Sequence, residues 1–84
     1  MTVRQYFLKK LWELRIGYAN SSKIMDEVEK SPRAAEMQGQ WRDSVTDYPT
    51  VIMDRLWFAV KLTAIKWLEE HDPKNEALSS LKKS

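Results

Sequence analysis

The chain has 84 residues, a net charge of +2, four Trp, three Tyr, two Phe and no cysteine. This length makes one domain, and so many aromatics with so little net charge exclude a disordered chain. The lack of cysteine excludes disulfides, thiolate nucleophiles and cysteine-based zinc sites.

Charge is unevenly placed. Residues 1–23 carry five bases against one acid, residues 24–47 carry six acids against three bases, and the last twelve return to +2. A basic end and an acidic middle suit a complementary protein partner or a second copy of the chain, and do not make the basic stripe of a nucleic-acid binder. The longest apolar run, Leu56 to Val60, falls far short of the roughly 20 residues that cross a bilayer. With charges scattered through the N-terminus and no signal-peptide pattern, a soluble, cytoplasmic protein without membrane contact is expected.

Helical periodicity dominates and strand alternation is absent. The first helix is predicted from Val3 to Ala19, with Thr2 as N-cap and Asn20-Ser21-Ser22 as the break. Its main apolar stripe is Val3, Phe7, Leu11, Leu14 and Tyr18, and a fainter one is Leu8, Trp12, Ile16 and Ala19. A short second helix covers Lys23 to Lys30. Ser31-Pro32 opens a third, since Pro suits the first helical position, and it ends near Asp47 because Pro49 follows. Ala34, Met37, Trp41, Val45 and Tyr48 share one arc of it, as on an amphipathic helix docked on a core.

The fourth helix runs from Thr50 or Val51 to about His71. Ile52, Leu56, Ala59, Val60, Thr63, Ala64 and Trp67 form a broad apolar stripe, widened by Met53, Trp57 and Leu68. Val51, Phe58, Leu62 and Ile65 form a second stripe on the opposite side. A helix apolar on two sides needs covering on two sides: either neighbouring helices do it, or one stripe stays open for another molecule. Asp72-Pro73 then opens a short, weak fifth helix that frays toward Ser84. The expected architecture is an all-α bundle of four to five helices, with one long C-terminal helix (about 50–71) packed on two faces. Residues 1–72 form the domain and residues 73–84 a weak helix or frayed tail.

Catalytic patterns are lacking. His71, the lone histidine, stands beside Glu69, Glu70 and Asp72, but adjacent helical residues diverge by about 100°. Its i−4 and i−3 neighbours are Trp67 and Leu68, so it reads as a polar end near the helix C-terminus. Asp43 and Asp47 are spaced for one helix face yet have no base or metal partner, which makes a solvated face. Gly17 and Gly39 stand alone, so no phosphate loop is present. Neither an enzyme nor a cofactor or metal site is expected.

The functional expectation is therefore a non-enzymatic protein-binding module: a stoichiometric inhibitor, adaptor or regulator, or a homodimer. Small cysteine-free chains of this build include inhibitors carried by phages and mobile elements, an analogy of architecture alone. Its contact residues are Val51, Phe58, Leu62 and Ile65, with Trp12 and Trp57 at stripe edges; Trp41 and Trp67 read as core. An alternative is a helix-turn-helix-like nucleic-acid-binding regulator reading bases through Arg33, Gln38 and Arg42. Glu36, Asp43 and Asp47 on the same face oppose it, because they would meet phosphates. A third reading is an accessory subunit of a larger assembly.

Overall fold

Thr2 starts the first helix as its residue type predicts. Its hydroxyl accepts the Gln5 N–H at 3.1 Å while the Gln5 side chain accepts the Thr2 N–H at 2.8 Å, a reciprocal capping box. The computed structural model describes residues 1–30 and 40–83, and these form four α-helices. They are α1 (Val3–Glu13), α2 (Tyr18–Lys30), α3 (Thr50–His71) and α4 (Ala77–Lys83). Two 3₁₀ turns, Gln40–Arg42 and Val45–Asp47, precede α3. The molecule is a small all-α bundle. In it α1 packs on α2 and the first 3₁₀ turn, α2 packs on α3, and α3 on α4. The 22 residues of α3, about 33 Å at 1.5 Å per residue, match the longest dimension of 36 Å.

The first break falls earlier than Asn20-Ser21-Ser22. Arg15 takes a left-handed φ of 67°. The Arg15 N–H reaches the Trp12 carbonyl at 2.8 Å, and the Ile16 N–H reaches Leu11 at 3.2 Å. This is the Schellman ending of a helix, with its customary apolar contact supplied by buried Ile16 and Leu11. Ile16 thereby joins the core from a turn. Tyr18, expected on the main stripe of the first helix, instead opens α2 and is exposed. Asn20-Ser21-Ser22 lies inside α2, where tertiary contacts accommodate it. The buried Ser21 hydroxyl donates to the Ile16 carbonyl at 3.2 Å, and Ser22 accepts from Arg4 at 3.5 Å.

The continuous third helix is also corrected where it can be followed. Residues 40–47 form two separate 3₁₀ turns, because Asp43 and Ser44 pair with the N-terminus. The Val3 N–H donates to the Asp43 carbonyl at 2.9 Å and the Val45 N–H to Met1 at 3.1 Å, an isolated antiparallel bridge. Ser44 caps the second turn by accepting the Thr46 N–H at 3.3 Å, the competition with helix typical of this residue. Trp41 still reaches the core and packs edge-on against Phe7 at 6.1 Å, while Val45 and Tyr48 are half-buried. Ala34 and Met37 lie outside the described residues.

Within α3 the buried positions are Met53, Leu56, Val60, Ala64 and Leu68. The inward face is thus centred on the side the sequence assigns to Met53 and Leu68, while Ile52, Trp57 and Trp67 pack half-buried at its margins. Among the described residues α3 packs mainly on this face, and Val51, Phe58 and Leu62 of its second stripe are exposed. Nor is α3 the last helix. Asn75 accepts the Ala77 N–H at 2.8 Å, so α4 starts at Ala77 rather than Pro73 and buries Ala77, Leu78 and Leu81.

Among the described residues no helix is long and apolar enough to cross a membrane.

Candidate functional site

The outward face of α3 carries Val51, Phe58 and Leu62, exposed by 59%, 56% and 46% respectively. They stand at 7- and 4-residue spacing, which keeps them on one side of an α-helix. Asp54, Arg55 and Lys66 are exposed around them. Ile65, the fourth residue of this stripe, is half-buried and rests on the edge of the core. The Lys61 ammonium lies 5.2 Å from the centre of the Phe58 ring, a cation–π contact at the rim of the row.

The two tryptophans expected at stripe edges part company. Trp57 belongs to the core margin: its ring stacks on buried Phe7 at 6.1 Å and 13°, and the Lys10 ammonium covers it at 4.5 Å. Trp12 is exposed at the end of α1, with its ring 5.1 Å from that of Tyr18 across the Arg15 turn. Tyr18 escapes sequence reasoning because the stripe of a helix continued through residue 19 would have hidden it.

A groove of about 610 Å³ runs between the end of α2 and the second half of α3. Leu62 borders it, so the apolar row opens directly into it, and Glu27, Lys30, Lys66, Trp67, Glu70 and His71 line it. Trp67 and His71 stack at 4.4 Å and 12°, with His71 Nδ1 3.0 Å from the Trp67 carbonyl. The sequence assigns Trp67 to the core; in the fold it is half-buried and forms a groove wall. Their i, i+4 spacing was the available signal, since such pairs touch on a helix.

The charged residues are partly consumed by the fold. Arg4 binds Asp26 at 3.1 Å and also Glu29. It ties α1 to α2 and withdraws one cation from the basic end of the chain. Lys82 and Glu69 pair at 3.6 Å between α4 and α3. Tyr48 donates to Asp43; that hydrogen bond, with burial and the nearby Asp43 and Asp47 charges, pushes its phenol up to about 12. Arg42 is exposed in the first 3₁₀ turn, whereas Arg33 and Gln38 lie outside the described residues. Residues 40–47 do not supply the continuous recognition helix on which the base-reading expectation rested. Among the described residues no three His, Asp or Glu side chains gather as metal ligands would.

The chain matches no family model, no curated protein and no solved structure.

Proposed function

We propose that this chain is a non-enzymatic protein-binding module whose contact face is the Val51, Phe58 and Leu62 row of α3, with Ile65 at its inner margin. The observation that carries this reading is the exposure of three large apolar side chains in one line, directly opposite the buried stripe of the same helix. Single apolar residues on a surface are ordinary; three large ones aligned on one helix face support a contact site.

Magnitudes bound what the row does. Fully burying a Val, Leu or Phe contributes about 1.5–3 kcal/mol, so covering three half-exposed ones yields roughly 2–5 kcal/mol. Association costs about 4–15 kcal/mol. The row therefore needs a partner that brings apolar surface of its own, and it serves as a reversible contact. Phe58 is the central anchor, and the exposed Asp54, Arg55 and Lys66 form a polar rim of the kind that surrounds such anchors.

The test is Phe58→Asp and Leu62→Asp. Both variants are expected to keep the helical circular dichroism and the cooperative melt, while a tagged chain loses the stoichiometric partner that the unaltered chain retains. Collapse of the helical signal in both would place the row in the folding core and end this reading.

A further inference from the structure

We infer that the occupant of this row is a second copy of the chain, seated with its α3 antiparallel about a two-fold axis through Phe58. This rests on the reading of the row as a contact face and names its partner.

The arrangement of residues about Phe58 is self-complementary. Val51 and Ile65 stand seven residues before and after it, so an antiparallel pair centred there lays Val51 of each copy on Ile65 of the other and Phe58 on Phe58. In such a pair, residues on the same flank of the row meet. At about 100° per residue, Asp54 and Lys61 share one flank, four residues before and three after Phe58. The carboxylate of each copy thus faces the ammonium of the other, twice over by symmetry. An ammonium has three donors, so Lys61 keeps its contact with the Phe58 ring. Arg55 and Leu62 share the other flank, three before and four after, and the Arg55 methylenes lie over the partner's Leu62 with the guanidinium in water.

A parallel pair is poorer. It still meets Asp54 with Arg55, but it brings Lys61 toward Lys66 and aligns the two helix dipoles. Self-pairing also answers the requirement for a partner with apolar surface of its own, because the partner's row is the same row. Two helices of this length side by side bury on the order of 1,000 Å² in total, the lower bound of a specific interface. The pair is consequently concentration-dependent.

The experiment is light scattering of the purified chain over a hundredfold concentration range, joined to cysteine cross-linking in this naturally cysteine-free chain. The mass is expected to climb from 9.9 kDa toward twice that value, and Phe58→Asp to hold it at the monomer with unchanged circular dichroism. An oxidised equimolar mixture of Asp54→Cys and Lys61→Cys chains is expected to form a disulfide heterodimer. Val51→Cys alone is not, since two copies of residue 51 then lie about 21 Å apart, far beyond disulfide reach. Efficient self-cross-linking of Val51→Cys would overturn the antiparallel seat. A constant monomer mass with no cross-link would overturn self-docking and leave the contact face to a different protein. Unfolding of Phe58→Asp would overturn the contact face itself.

Discussion

Leu56 and Leu62 belong to the same helix, less than two turns apart, yet Leu56 is 1% exposed and Leu62 is 46% exposed. The inward face of α3 is filled by α2, α4 and the Phe7–Trp57 stack, whereas the outward face holds Val51, Phe58 and Leu62, of equal hydrophobicity, about half exposed. One helix therefore carries two apolar stripes in opposite surroundings. The buried stripe is what makes the chain fold, and the open stripe is proposed to be what makes it bind. Residue type does not separate the two; the neighbours do.

The sharpest way to break this comparison is to truncate the same residue on each face. Leu56→Ala is expected to lower the unfolding free energy by about 2–5 kcal/mol through lost burial and a residual cavity. Leu62→Ala is expected to change it by under about 0.5 kcal/mol at concentrations where the chain is monomeric. Urea denaturation of both variants gives the two numbers, and equal losses would mean that α3 is covered on both faces.

A backbone contrast comes next. Arg15 is an exposed residue whose importance lies in its left-handed φ, a conformation that costs an L-residue about 1–2 kcal/mol. Arg15→Gly relieves it at the expense of extra freedom in the unfolded chain, for a net gain of about 0.5–1 kcal/mol, visible as a higher Tm. A lower Tm would show that the Arg15 side chain matters more than its φ.

The smallest effect extends the contrast to charge. Arg4 is held between Asp26 and Glu29 on α2, while Arg55 stands exposed on the outward face. Arg4→Ala is expected to cost about 1 kcal/mol, partly exposed ion pairs being weak, and less at 1 M salt as screening sets in. Arg55→Ala is expected to leave monomer stability within about 0.5 kcal/mol. The pair is read from melts at two ionic strengths.

Much of this was legible in the residues. Thr2 as a cap, α3 running from Thr50 to His71, and the two stripes of that helix all follow from local chemistry and period. These features depend on neighbours within a few positions. The amphipathic third helix failed at residues 40–47 because the Asp43 and Val45 backbone is paired with Val3 and Met1, 40 and 44 residues away in sequence. The extension of the first helix to Ala19 failed because burying Ile16 beside Leu11 outweighs the strain at Arg15. Arg4, read only as one cation among several, proved to be a link between helices because Ser22, Asp26 and Glu29 line up on α2. That α2 lies beside α1 is not written in the local pattern of either.

The sequence by itself determined that this chain is helical, where its longest helix begins and ends, and that this helix is apolar on two sides. Only the tertiary structure decided which side is covered. The physical reason is that periodicity sets the angle of each side chain about its own axis, whereas burial depends on which other helices arrive at that angle. Val51, Phe58 and Leu62 remain in solvent because α2 and α4 settle against Met53, Leu56, Val60, Ala64 and Leu68 on the opposite side.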